Sequence, residues 1–98
     1  MTFEILKNSK ETTIEITGRL DTSTAPDLGK TITEDIADTE NLVLDFKKLE
    51  YISSAGLRVL LAAQKKMQKL GSMKLTNVCK DVMEVFEMTG FSDILTIA

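Results

Sequence analysis

Hydrophobic and polar residues alternate in the first part of the chain. Phe3 and Ile5 have polar neighbours, and Ile14 and Ile16 alternate with threonines and a glutamate. Alternation with a period of two is typical of strands that bury one face. Residues 8–10 separate the two segments with Asn, Ser and Lys, which indicates a turn. We therefore predict two strands that form a hairpin.

Apolar residues then recur every three or four positions, which indicates amphipathic helices. A first helix follows a loop at residues 18–24, and its buried stripe is Ala25, Leu28, Ile32 and Ile36. A second helix runs from about Ser54 to Leu70, and its buried side is predicted to be Leu57, Leu60, Leu61, Met67 and Leu70. A third helix carries Val82, Val85 and Phe86 and ends at Gly90.

Strands are predicted between these helices. Residues 42–46 form a nearly continuous apolar run, which is typical of a central strand covered on both faces. Residues 47–53 are predicted to be a loop, residues 73–78 a fourth strand and residues 94–97 a last strand. Strands that alternate with helices predict an α/β fold. We expect one domain over residues 1–98, with a mixed, mostly parallel sheet of about five strands and three to four crossover helices.

Composition narrows the classes of function. The chain has 98 residues, 43% of them hydrophobic, and a net charge of −3. An acidic domain is a poor partner for nucleic acid or for anionic lipid. No apolar run approaches the length of a membrane span and no secretory signal is apparent at the start. The lone Cys79 and the lack of histidine disfavour a disulfide, a metal site and the commonest general base. We expect a cytoplasmic protein that is monomeric when free.

The candidate site lies in the two loops that follow the second and third strands, at residues 18–23 and 51–56. Adjacent parallel strands end at the same edge of a sheet, so Asp21 and Ser54 are predicted to be neighbours. Ser54 is expected at the start of the long helix, where backbone amides lack partners and the helix dipole favours a phosphate. Ser54 could instead be an ordinary N-cap, Asp21 could cap the first helix, and Asp45 could accept amides of its own loop.

Several stretches of the chain resemble one family. The segment Asp45-Phe46, Leu49 and then residues 51–61, Tyr-Ile-Ser-Ser-Ala-Gly-Leu-Arg-Val-Leu-Leu, resembles the signature of STAS domains, specifically of bacterial anti-sigma factor antagonists. Residues 18–21, Gly-Arg-Leu-Asp, and residues 82–91, which end in Thr-Gly-Phe, resemble the family as well. The resemblance extends over essentially the whole chain.

The resemblance implies a regulatory mechanism. The unphosphorylated antagonist binds an anti-sigma factor, often a serine kinase of the histidine-kinase-like ATPase type, and thereby releases a sigma factor. The kinase phosphorylates the serine that corresponds to Ser54, which ends binding, and a PP2C-type phosphatase reverses the change. Many members of the family carry an acid where this chain has Ser53, so Ser53 stays an alternative acceptor. The implied partner-binding residues are Asp21, Thr22, Ser23, Ser53, Ser54, Ala55, Gly56 and Arg58.

Two other interpretations remain. The chain could be a STAS binding module of a stressosome, a secretion-control circuit or a lipid-transport complex. It could also be a phosphoaspartate receiver or a small enzyme, with Asp45 as the acceptor. A receiver needs an acid cluster after its first strand and a lysine after its last, and both are missing. Ser54 has no evident catalytic base. We therefore expect no enzymatic activity, no cofactor and no metal.

Overall fold

The computed structural model describes residues 2–35 and 39–98 of the chain. Its elements, in chain order, are β1 (Thr2–Asn8), β2 (Glu11–Leu20), α1 (Ala25–Asp35), β3 (Asn41–Ile52), α2 (Ser54–Leu70), β4 (Ser72–Thr76) and α3 (Lys80–Thr89). A short 3-10 helix follows at Phe91–Asp93. Ile36, which is predicted to continue the stripe of α1, lies outside the described residues.

The four described strands form one sheet in the order β1-β2-β3-β4. β1 is antiparallel to β2, whereas β2, β3 and β4 are mutually parallel. The predicted α/β class, the initial hairpin and the mixed, mostly parallel sheet are therefore confirmed. Asn8 pairs with Glu11, so the hairpin is closed by a two-residue turn in which Ser9 has a φ of 57°.

β2 and β3 are longer than the sequence predicts. Residues 18–20 continue β2, and residues 47–52, expected to be a loop, continue β3. The register between the two strands shifts twice, between Glu15 and Thr17 and again between Gly18 and Arg19. In both shifts β3 carries the extra residue, as in a β-bulge. These bulges break the alternation of buried and exposed residues and thereby hide the second half of β3 from pattern analysis.

The prediction of a last strand at residues 94–97 is wrong. The 3-10 helix occupies the preceding residues, and only one parallel bridge joins Ile97 to Leu75 of β4. The amide of Leu75 donates to the carbonyl of Thr96 at 2.9 Å, and the amide of Ala98 donates to the carbonyl of Leu75 at 2.9 Å. The C-terminal segment therefore covers a point of the β4 edge without forming a ladder, and the described sheet has four strands rather than about five.

The core lies between the sheet and the apolar sides of the helices. Its largest fully buried side chains are Ile14, Ile16, Leu20, Leu28, Leu42, Leu44, Phe46, Leu60, Met67, Leu75 and Phe86. On α2, the predicted burial of Leu57, Leu60 and Met67 is confirmed. Leu61 is half-buried and Leu70 is 40% exposed, so their predicted burial is wrong. Because the contact of Gly56 with the ends of β2 and β3 orients α2, Ala63 and Gln64 complete the buried stripe instead.

Candidate functional site

The loops after β2 and β3 meet at one edge of the sheet, as the sequence predicts. Leu20 and Ile52 are the last paired residues of the two strands. One residue further on, the amide of Ser53 donates to the carbonyl of Leu20 at 2.9 Å. This bond fixes the start of α2 against the end of β2, so the turn that begins at Asp21 and the helix that begins at Ser54 adjoin.

The two serines at this edge have different roles. Ser53 has the extended backbone of an N-cap, with φ −101° and ψ 176°, and its side-chain oxygen accepts from the amide of Gly56 at 3.4 Å. Ser54 is the first residue of α2 and is exposed. The interpretation of Ser54 as the N-cap is therefore wrong. Within the described residues the Ser54 hydroxyl has no hydrogen-bond partner, so it is available for modification.

Gly56 lets α2 approach the strand ends closely. A Cβ at this position would lie 2.8 Å from Cγ1 of Ile52 and 2.8 Å from Cγ of Leu20. Both neighbours are core side chains, at 4% and 0% exposure, so neither has room to move aside freely. Gly56 is therefore a packing residue beneath the site, and the partner-binding role implied for it would act through the position of the helix.

Asp21 organises the turn between β2 and α1. Its Oδ1 accepts from the amide and hydroxyl of Ser23 at 3.0 and 2.8 Å, and from the amide and hydroxyl of Thr24 at 3.1 and 3.1 Å. The hydrogen bond from the Ser23 side chain, followed by those of Thr24, lowers the pKa of Asp21 below its ordinary value, and partial desolvation opposes this shift. The carboxylate is therefore ionised near neutral pH and tied to its own turn.

Thr24 locks this turn to the end of β2. Its hydroxyl lies 2.8 Å from the carbonyl of Arg19 and accepts from the amide of Asp21 at 2.8 Å. The sequence suggests only a loop or cap residue at Thr24. A threonine three positions after an aspartate, directly before a helix, is the signal that indicates such a closed turn.

The other predicted contact residues surround Ser54 and the Asp21 turn. Thr22, Ser23 and Arg58 are exposed, and Ala55 is half-buried. Arg58 lies one helical turn after Ser54, so the two side chains leave α2 on the same side. The structure thus brings all the predicted site residues to one end of the molecule.

One pair at this edge is not predicted by the sequence. The guanidinium of Arg19 stacks over the ring of Tyr51 at 4.2 Å from the ring centroid, the distance of a cation–π contact. Tyr51 is 41% exposed. Arg19 and Tyr51 face each other only because the second register shift leaves Glu50 without a partner on β2. A bulge of this kind cannot be located from apolar spacing.

Asp45 lies in β3, within the strand that the sequence predicts at residues 42–46. Its Oδ1 accepts from the amide of Lys47 at 3.0 Å and from the side-chain amide of Asn77 at 3.0 Å. The predicted role of accepting a nearby backbone amide is therefore observed, but within a strand and beside its first bulge. Asn77 has a φ of 57°, a left-handed conformation that asparagine tolerates.

The described parts of the chain contain no group of three or more His, Cys, Asp or Glu side chains placed to hold a metal ion. Among the helices of residues 2–35 and 39–98, none is long and apolar enough to cross a membrane.

The family model described as the STAS domain matches residues 2–98. The chain belongs to the STAS-domain family. The resemblance inferred from residues 45–61 is therefore confirmed over nearly the whole sequence.

Two curated relatives of this STAS domain have related names. It is 45% identical over 58 residues to a Bordetella bronchiseptica protein named as an anti-sigma factor antagonist, BtrV. That match spans 58% of this chain and only 50% of the Bordetella protein. It is also 28% identical over 96 residues to the anti-sigma-B factor antagonist of Bacillus subtilis, covering 97% of this chain and 88% of that protein.

Solved structures share the fold. An anti-sigma factor antagonist from Mycobacterium paratuberculosis has a TM-score of 0.88 at 24% identity, covering 98% of this chain and 83% of that one. The antagonist SpoIIAA in its unphosphorylated form has a TM-score of 0.85 at 20% identity, covering 99% and 88%. SpoIIAA of Bacillus in its phosphorylated form has a TM-score of 0.77 at 19% identity, covering 99% and 91%.

Proposed function

We propose that this STAS domain is an anti-sigma factor antagonist whose binding is switched by phosphorylation of Ser54. The observation that carries the proposal is the position of Ser54, which is exposed at the first residue of α2 with Ser53 serving as the cap. Both curated relatives are named as anti-sigma factor antagonists. SpoIIAA, which shares the fold, is known in a phosphorylated and an unphosphorylated form.

A phosphate on Ser54 is compatible with the fold. The first amides of a helix have no partners within the helix, and the positive end of its dipole faces them. A phosphate at the first helical position meets both. The Arg58 side chain, on the same side of α2, adds a cation within one turn. Modification would therefore change the surface without unfolding the domain.

The same phosphate opposes binding of a partner at this edge. It adds about −1.5 to −2 charges beside the ionised Asp21 turn. A partner that docks here must take this charge out of water. Arg58 offsets only part of the charge, and desolvation of the rest costs several kcal/mol unless the partner supplies a further cation. A loss of about 2.7 kcal/mol already lowers affinity by a hundredfold. Phosphorylation is therefore sufficient to release the partner.

The partners follow from the proposed mechanism. The unphosphorylated form binds an anti-sigma factor that is also a serine kinase of the histidine-kinase-like ATPase type, and a PP2C-type phosphatase regenerates it. The domain acts in the cytoplasm, needs no cofactor and carries no catalytic activity of its own. The contact surface comprises Asp21, Thr22, Ser23, Ser53, Ser54, Ala55 and Arg58, and Gly56 lies beneath it and positions α2.

The test begins with the modification itself. The protein is isolated from its native cells under several growth conditions, and the tryptic peptide of residues 49–58 is sequenced by fragmentation mass spectrometry. We expect phosphate on Ser54 in a fraction that changes with conditions. Phosphate on Ser53 would transfer the switch to the neighbouring serine. An unmodified peptide in every condition, with the cognate kinase active, would refute the switch.

Partner capture then tests its consequence. Ser54→Ala and Ser54→Asp variants are used as baits under identical conditions. Gln68→Glu, at an exposed residue near the other end of α2, is the control for added charge and should retain the partner. We expect the alanine variant to retain an anti-sigma factor and the aspartate variant to lose it. Equal retention by both variants would contradict the proposed role of Ser54, whereas capture of a transport or secretion complex would favour another type of STAS module.

A further inference from the structure

β1 is the free edge of the sheet in the described part of the chain. It lies outermost next to β2, whereas the other outer strand, β4, is partly covered where Leu75 bonds to Thr96 and Ala98. β1 also carries two exposed apolar side chains, Ile5 at 37% and Leu6 at 55% exposure. An open strand edge with apolar side chains is a template for pairing with another strand.

The hairpin determines which groups of β1 point outwards. In a hairpin with a two-residue turn, the residues flanking the turn, here Asn8 and Glu11, exchange backbone hydrogen bonds. Along β1, the residues that form backbone hydrogen bonds to β2 are therefore Asn8 and every second residue before it. The amides and carbonyls of the intervening residues, Phe3 and Ile5 among them, therefore point away from β2, towards the open edge.

We propose that this edge pairs with the β1 strand of a second copy of the chain, antiparallel and centred on Ile5. A two-fold axis perpendicular to the sheet keeps each face of the sheet continuous across the two copies. When this axis passes beside Ile5, Ile5 of one copy pairs with Ile5 of the other, and Phe3 pairs with Lys7 of the second copy. The pairs thus join residues whose backbone groups point outwards. Among the symmetric registers that satisfy the direction of the hydrogen bonds, the register centred on Ile5 joins the largest number of outward-facing residues.

The side chains agree with this register. Phe3 and Ile5 lie opposite Ile16 and Ile14 on β2, which are 1% and 0% exposed, so they extend the core face of the sheet. At the axis, Ile5 of one copy packs on Ile5 of the other. Leu6, on the opposite face, lies diagonally across the axis from Leu6 of the second copy. The exposed apolar side chains of both faces therefore come together.

Dimerisation through β1 is expected to be weak and independent of the phosphorylation of Ser54. Pairing along one strand buries less area than the roughly 1,200–2,000 Å² of stable interfaces. We therefore expect a weak dimer, with a dissociation constant of roughly 0.1–1 mM. The protein therefore remains the predicted monomer in dilute solution. β1 pairs with residues 11–17 of β2, whereas the Ser54 edge begins beyond Leu20. Both Ser54 edges of the dimer stay open, so this inference does not rest on the proposed function.

Sedimentation equilibrium and amide hydrogen exchange of the intact chain test the proposal. Between about 10 μM and about 1 mM, a range that brackets the expected constant, we expect a monomer–dimer equilibrium. Exchange of the amides of Phe3 and Ile5 should slow as the monomer fraction falls, while exchange of the Glu4 and Leu6 amides stays constant. A monomer throughout the range, or protection without this alternation, would overturn the proposal.

Substitutions at the axis make the test specific. Ile5→Lys places two like charges at the centre and should weaken dimerisation more than about tenfold, the factor given by about 1.4 kcal/mol. Ile94→Lys, at a residue 46% exposed on the C-terminal segment, is the matched control and should leave it unchanged. A mixture of the Ile5→Lys and Ile5→Glu variants should recover heterodimers. Dimerisation that is unaffected by Ile5→Lys, or the absence of heterodimers in the mixture, would rule out this register.

Discussion

The amide of Ser53 donates to the carbonyl of Leu20 at 2.9 Å. This bond joins the residue before α2 to the last residue of β2, and thereby places Ser54 next to the turn of Asp21. The candidate site is thus built on two adjacent strand ends and a helix cap, which are among the better-defined parts of an α/β sheet.

Gly56→Ala should destabilise the fold. The new Cβ would lie 2.8 Å from core atoms of Leu20 and Ile52, and overpacking of this kind costs about 1–3 kcal/mol, more than the gain in helix propensity. Gly29→Ala in α1 is the matched control, because its Cβ would meet Val59 at 3.8 Å, an ordinary contact, and should stabilise by about 0.5–1 kcal/mol. Urea denaturation measures both, and opposite signs are expected.

Ser53→Ala and Ser54→Ala should separate the structural serine from the regulated one. Loss of the Ser53 cap should lower the free energy of unfolding by about 0.5–1 kcal/mol, at the lower end of the range for N-caps because the bond to Gly56 is long at 3.4 Å. Ser54→Ala should change it by less than about 0.5 kcal/mol. Chemical denaturation provides the comparison. A larger loss for Ser54→Ala would contradict the assignment of the cap.

Ser23→Ala should raise the pKa of Asp21, because the Ser23 hydroxyl is the strongest contributor to its lowering. Asp21 with a lowered pKa stabilises the fold above the pKa it has when unfolded, and this stabilisation is lost as the pH falls through its folded value. Carboxyl carbon titration by NMR measures the shift. Thr22→Ala, on the same exposed turn, is the control and should leave the pKa unchanged.

Arg19 and Tyr51 should be energetically coupled. A double-mutant cycle with Arg19→Gln and Tyr51→Leu should give a coupling of about 0.5–1 kcal/mol, as expected for a partly exposed cation–π pair. A parallel cycle that combines Arg58→Gln with Tyr51→Leu serves as the reference for general loss of charge. Equal coupling in the two cycles would show that the stacking contributes nothing specific.

Phosphorylation of Ser54 should leave the fold intact. Because the phosphate meets free amides of the first turn and the positive end of the dipole of α2, we expect the melting temperature to stay the same or to rise slightly. Calorimetry of the phosphorylated and unphosphorylated forms provides the measurement. A marked fall in the melting temperature would mean that phosphorylation acts by unfolding α2, and not by blocking the surface.

The sequence by itself determined the hairpin and the helices. Alternation around Ile14 and Ile16 defined the hairpin, and the three-and-four spacing of apolar residues defined α2 from Ser54 to Leu70 and α3 up to Gly90. The order of the elements was enough to predict that the two site loops share an edge. These features depend on the local spacing of apolar residues and on the order in which strands and helices follow one another, and both can be read directly from the sequence.

The tertiary structure alone decided the register and its consequences. The two bulges of β3 extend the strand through residues 47–52 and bring Tyr51 to Arg19. Burial of Gly56 against Leu20 sets the start of α2 so that Ser53, and not Ser54, is the cap. Pairing between strands is set by the summed packing of residues distant in sequence, so no local pattern reveals which of two adjacent serines is left free at the surface.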